Sequence, residues 1–302
     1  MPFPFVGEIA AIATAILFSF GSTFFTRAGQ LVGSVIVNRA RLLIAALALL
    51  GVHWIIFGIP LPIDAAPDRW LWLSISGIVG FSLGDAALFQ GFVMVGTRLT
   101  MLVFSLSPVI AVLTAWIFLG EVLNSTQITG IIITISGIAW VISENNSPES
   151  GTKDRSRFWV GLLYALGGAV GQALGAVAAK KGLWGDFPTL SALVIRVVIG
   201  AVGVWVFTLI QGKGRETYRQ ITQNSAALGF TLLGTLFGPL TAVGLSLVAI
   251  KYTSVGIAST LIALPPIFLL PISYYMFNER ISKRAIIGTV VALLGVAIIF
   301  LV

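Results

Sequence analysis

Ser105–Ile142 reads SLSPVIAVLTAWIFLGEVLNSTQITGIIITISGIAWVI, and 158 residues further on Ala263–Phe300 reads ALPPIFLLPISYYMFNERISKRAIIGTVVALLGVAIIF. Pro108 falls on Pro266, Glu121 on Glu279, Gly130 on Gly288 and Gly137 on Gly295. Upstream, Gly80 and Gly84 fall on Gly234 and Gly238 at an offset of 154, so a few inserted residues reconcile the two registers. Each stretch holds two apolar runs around a short polar turn. A run of about 20 apolar residues crosses ~30 Å of hydrocarbon as a helix. The chain is therefore a duplicated unit whose runs read as membrane helices.

Working outward, ten such runs can be marked: 5–26, 33–57, 70–94, 98–119, 124–143, 158–179, 188–210, 226–249, 254–277 and 283–302. They do not alternate in polarity as barrel strands do, and helices satisfy their own backbone groups in lipid. The fold class is all-α: a polytopic membrane protein. The longest polar stretch, 144–157, is a solvated linker rich in Ser, Asn, Pro and Gly. It divides the chain into repeats 1–143 and 158–302, each of five helices. Five is odd, so the second repeat enters the membrane from the opposite side and the two are inverted. Inverted repeats enclosing a midplane site are an architecture of secondary transporters.

Composition supports lipid as the solvent. The chain is 57% hydrophobic and 10% charged, with mean hydropathy +1.02, against about 25% charge in soluble domains. The net charge of +7 does not point to nucleic acid, because the Lys and Arg sit mostly in short connections, where they set orientation. Connections at the end where run 1 finishes carry Arg27, Arg98, Lys153, Arg155, Arg157, Lys213, Arg215, Arg219, Arg280, Lys283 and Arg284; the other end carries Arg69, Lys180, Lys181 and Lys251. The positive-inside rule then puts both termini outside the cytoplasm. No basic region precedes the first run, so it reads as a retained helix rather than a cleaved signal. The chain has no cysteine, which excludes disulfide and thiol chemistry, and a single histidine, His53, read as interfacial beside Trp54. So few nucleophiles, bases and metal ligands argue against an intramembrane enzyme. There is no Walker A motif, so ATP-driven transport by this chain alone is not expected. A receptor would need a soluble domain, for which there is no segment. No cofactor, metal site or catalytic residue is expected.

A proline in the fourth helix, then LGE or NER in a turn, then a fifth helix spaced Gly-x6-Gly resembles the EamA domain. Two tandem copies resemble a transporter of the drug/metabolite transporter superfamily, over nearly the whole chain. The resemblance implies a multi-pass protein of the cell membrane, a bacterial inner membrane above all. It would export a small metabolite, such as an amino acid or another organic anion or zwitterion, by alternating access. A proton or counter-substrate would be coupled, and pairing into a homodimer is compatible with it. Multidrug efflux is the alternative. Small multidrug-resistance relatives carry a glutamate in helix 1; here Ser19 stands at that place, with Gln172 or Ala173 in the second repeat. That departure speaks against proton-coupled export of cationic drugs. Relatives in this superfamily commonly have both termini inside, against the charge count.

Intramembrane charges are the strongest site signal, because they are costly and usually face a cavity or a partner. Arg39 and Arg41 sit roughly 9–12 Å into the second run, and Asp85, entering from the other side, reaches a similar depth at about 22 Å along the third. An Arg41–Asp85 pair with Asn38 nearby is expected, Arg39 being the alternative partner. Arg196 repeats Arg41 at an offset of 155, while Pro239 replaces Asp85. The interior thus holds more cations than anions and suits an anionic substrate group. The substrate-path candidates are Asn38, Arg39, Arg41, Asp85, Gln90, Arg196 and Lys251. Pro108, Pro239, Pro265 and Pro266 lie in apolar runs and are the hinge candidates. Glu121 and Glu279 read as solvated or capping residues. The Gly130–Gly137 and Gly288–Gly295 spacings suit helix packing, including packing between protomers. Helices 5 and 10, free of core charges, are expected to be outer scaffold.

Overall fold

A computed structural model describes residues 5–119, 124–145, 155–252, 261–279 and 281–300. Among these, regular structure is helical throughout. The helices are α1 (Val6–Val32), α2 (Ser34–Phe57), α3 (Pro67–Val95), α4 in two pieces (Thr97–Phe104 and Ser107–Leu119), α5 (Ser125–Asn145), α6 (Arg155–Gly182) and α7 (Thr189–Ile210). A short α8 (Gly214–Gln223) follows, then α9 (Ser225–Thr235, Leu236–Ala242 and Val243–Tyr252), α10 (Pro265–Phe277) and α11 (Lys283–Phe300). Eight helices among the described residues are long and apolar enough to cross a membrane. The chain is a multi-pass membrane protein, and its outward apolar residues fit a lipid-facing surface: Ile55, Leu163, Phe207 and Ile132 are all exposed.

Several boundaries differ from the sequence reading. Helix α1 runs past the apolar run to Val32, because Arg27 is accommodated inside it rather than in a connection. The turn between α1 and α2 is the single residue Gly33 at φ 91, and Gly96 at φ 83 does the same between α3 and α4. Only glycine takes such angles without strain. The connection that carries Lys213, Arg215 and Arg219 is not all loop: it forms α8, whose Thr217 and Ile221 are buried.

The prolines also sit differently. The fourth helix breaks at Ser105–Leu106, and the stretch before α10 breaks at Ala263–Leu264, which is the same place in the repeat. Pro108, Pro265 and Pro266 therefore open a helix piece instead of kinking a continuous one. In the first turn the missing N–H of proline has no partner to lose. Pro239 does stand within a helix, in the π-helical turn Leu236–Ala242 of α9. Helix α3 carries a π-helical stretch too, Gly77–Gly84.

Packing follows the repeat. Helix α1 lies along α9 and α10, and α6 lies along α3 and α4; exchanging the two halves turns one set into the other. Helix α2 packs on α7, and α5 on α11. Lipid supplies no hydrophobic drive between helices, so close approach through glycine supplies the contact. A Cβ added at Gly171 would lie 2.5 Å from Gly84 Cα, and one at Gly21 would lie 3.2 Å from Gly238 N. At the α5–α11 seam a Cβ on Gly137 would meet Ala292 N at 2.5 Å, and one on Gly295 would meet Thr134 N at 2.4 Å. These glycines are thus used for packing between helices of the same chain.

Candidate functional site

The charged cluster lies where α2, α3 and α7 meet, beside α1. Leu42, Ala45, Leu49, Val194 and Val197 form the apolar seam that holds α2 against α7. Helix α3 approaches α7 more closely still: a Cβ on Gly77 would come within 2.3 Å of Arg196 O. The π-helical widening of α3 ends at Gly84, so Asp85 opens the regular helix beyond it.

Arg41 Nη2 donates to Asp85 Oδ2 in a buried ion pair. Arg41 Nε donates to Asn38 Oδ1 at 3.1 Å, one helical turn away. The guanidinium lies over the Phe89 ring, 4.8 Å from its centroid, and 5.8 Å from that of Phe25. Those rings supply the negative face that a cation prefers. Asp85 also lies within electrostatic range of Arg196. Arg196 stacks over Phe81 at 4.9 Å. Among the described residues its Nε is buried with no hydrogen-bond partner. A Cβ built on Gly80 would be 3.9 Å from both Arg196 Nη2 and Gln172 Oε1, so Gln172 of α6 borders the same space. The cluster holds two guanidiniums and one carboxylate.

The other candidates lie elsewhere. Arg39 does not join the pair: two residues along a helix is a turn of about 200°, which carries it to the opposite side from Arg41. Its guanidinium donates to Thr217 Oγ1 at 3.0 Å and Gln211 Oε1 at 3.2 Å, fastening α8 to α2. Gln90 accepts from the Ser34 hydroxyl near the α1–α2 turn. The side chain of Lys251 lies outside the described residues, as does Glu121. Pro108 Cα and the Pro265–Pro266 pair mark helix starts, as above, and Ser19 Oγ reaches Pro265 O at 3.3 Å.

Three further readings change. His53 is 1% exposed and enclosed by protein: its Nδ1 contacts Ile59 O at 2.6 Å and its Nε2 contacts Ser191 Oγ at 2.9 Å. A carbonyl only accepts, so Nδ1 carries the proton and the Ser191 hydroxyl donates to Nε2. Glu279 is not merely solvated; it accepts from Arg98 Nε at 3.1 Å, joining the two halves. Arg27 donates to Met276 O and stacks on Phe277 at 4.4 Å. Arg27 and Arg98 thus act as contacts between halves, not loop charges.

The sequence reading missed Phe25, Phe81, Phe89 and Gln172 as members of the cluster. The rings carried no signal among 20 phenylalanines. Gln172 did carry one, as an uncharged polar residue flanked by Gly171 and Gly175 on a membrane helix.

Residues 5–143 and 159–301 each match the EamA-like transporter family. The chain belongs to that family, as two tandem copies of its domain. An uncharacterized transporter of Synechocystis sp. is 24% identical over 77% of this chain and 73% of its own length. An uncharacterized transporter of Clostridium kluyveri is 26% identical over 46% of this chain and 42% of its own length. A protein of known crystal structure superposes over 98% of this chain and 96% of its own with a TM-score of 0.61 at 16% identity, which shows a shared fold.

Proposed function

We propose that the chain is a secondary transporter of the cell membrane that exports a small organic anion or zwitterion by alternating access. It is not an enzyme in this reading. The proposed architecture is ten spans, with α10 and α11 completing the second set and the two sets of five inverted. The exchange of packing partners between halves supports it. The single observation that carries the substrate class is the cluster of two arginines and one carboxylate between α2, α3 and α7. An excess cation within the membrane is costly unless something anionic offsets it. The same excess disfavours lipophilic cations, and with them the multidrug alternative.

Movement would come from the breaks at Ser105–Leu106 and Ala263–Leu264, equivalent points where no continuous helical hydrogen-bond ladder resists bending. A proton or a counter-substrate would drive the cycle. Helices α5 and α11, packed mainly on each other, would be scaffold. The test is counterflow in liposomes preloaded with amino acids and organic acids. Exchange of anions or zwitterions, but not of tetraphenylphosphonium, is expected; exchange of the cation alone would contradict the reading. Loop charge supports termini outside the cytoplasm even once Arg27 and Arg98 are set aside. A C-terminal reporter active only in the cytoplasm should therefore be silent, and an active one would reverse the orientation.

A further inference from the structure

Arg41 and Arg196 occupy the same position in the two repeats, but among the described residues only Arg41 has a carboxylate directly on it. Asp85 answers Arg41; its counterpart in the second repeat is Pro239, which offers no acceptor side chain. Arg41 is also held by Asn38 and by the rings of Phe89 and Phe25. Arg196 keeps one ring, Phe81, against one face of its guanidinium, and its Nε is buried without a hydrogen-bond partner among the described residues. A buried N–H left unpaired is costly, more so when charged. An acceptor supplied by a ligand would complete it. The space beside it is bordered by Gln172 Oε1, and a Cβ at Gly80 would stand 3.9 Å from both that oxygen and Arg196 Nη2.

We propose that Arg196 is the seat for the carboxylate of the transported solute, which takes the place of the acidic residue missing from the second repeat, with the Gln172 amide beside it. Arg41, held by Asp85, positions the helices and does not bind solute. The ligand is then a small monocarboxylate, free or as the acid end of a zwitterion. A planar guanidinium with Nε and one Nη on the same edge matches two carboxylate oxygens side by side. This deepens the transporter reading for its route across the membrane, but the seat itself is testable by binding alone.

Two experiments on the purified full chain test it. The first uses thermal unfolding with sodium butyrate, butylammonium chloride or inorganic phosphate as probe. Butyrate should raise the midpoint saturably, and Arg196→Gln should weaken that response roughly tenfold or more, as expected for losing a charged hydrogen bond. Arg196→Lys should keep part of it. The proposal is overturned if butyrate leaves the wild type unchanged, if Arg196→Gln responds like the wild type, or if only butylammonium or phosphate acts. The second needs no ligand. A Cβ at position 80 meets only ordinary contacts, at 3.8 Å or more, so Gly80→Asp builds a carboxylate into the seat. Gly80→Asp should unfold at a higher temperature than Gly80→Asn, and the order should reverse when Arg196→Gln is added. Equal midpoints for the two in both backgrounds would overturn the seat. Butyrate binding through Arg196 in a protein that moves no solute would spare the seat and remove the transport reading. Transport of a solute with no carboxylate would do the opposite.

Discussion

The two halves carry an arginine at the same repeat position, and they treat it differently. In the first half Arg41 is engaged: Asp85 and Asn38 accept from its Nη2 and Nε, and two phenylalanine rings lie against it. In the second half Arg196 has one ring and a share of the same distant carboxylate. A duplicated unit begins with both copies alike, and on the proposal above the difference separates a copy that serves structure from one that receives a ligand. The surrounding backbone agrees. Glycines bring α3 hard against α7 and α6 around Arg196, so the open cation sits in a tightly defined frame.

The comparison breaks most visibly at Asp85. Asp85→Ala leaves Arg41 buried and unpaired, and losing one partner of a buried pair costs about 3–5 kcal/mol. Arg196→Met removes a cation with no direct partner and should leave stability unchanged or higher. Unfolding of both variants in detergent checks this; a larger loss for Arg196→Met than for Asp85→Ala would invert the assignment of roles.

The frame can be tested one methyl at a time. A Cβ at Gly77 would press on Arg196 O at 2.3 Å, whereas at Gly80 it has 3.8 Å. Gly77→Ala should cost about 1–3 kcal/mol as an overpacked contact, and Gly80→Ala much less. Equal stability of the two would mean that α3 and α7 do not meet as described.

Smaller effects are expected away from the cluster. Glu279 is partly exposed, so Arg98→Gln or Glu279→Gln should cost less than about 1 kcal/mol. Loss should be recovered when the charges are exchanged, and a rescue that fails would show the pair is incidental. Arg39→Gln should loosen α8, read as faster hydrogen exchange over Gly214–Gln223, while leaving carboxylate binding intact. Weakened binding would return Arg39 to the site.

What could be read from sequence follows from what lipid enforces. The apolar runs were legible because backbone in hydrocarbon has almost no choice but to be helical. The Arg41–Asp85 pair was legible because a helix rises a fixed distance per residue, so depth is arithmetic. The same geometry also separates Arg39 from Arg41 around the helix, a signal that depth alone passes over. The breaks before Pro108 and Pro265 were not legible, since proline at a helix start and proline inside a helix sit in the same kind of apolar run. The Arg98–Glu279 pair spans the two halves at a separation of 181 residues, and nothing local to either residue announces the other. His53 looked interfacial because it lies near the end of a helix; that the Ile59 carbonyl and Ser191 would enclose it depended on the loop and on α7.

The most direct measurement compares carboxylate counterflow in proteoliposomes carrying wild-type protein, Arg196→Gln or Arg39→Gln, at equal amounts of folded protein. The account predicts exchange of at least one small carboxylate by the wild type and by Arg39→Gln, with Arg196→Gln reduced roughly tenfold or more, in line with a lost charged hydrogen bond. Exchange by Arg196→Gln at the wild-type rate would contradict it.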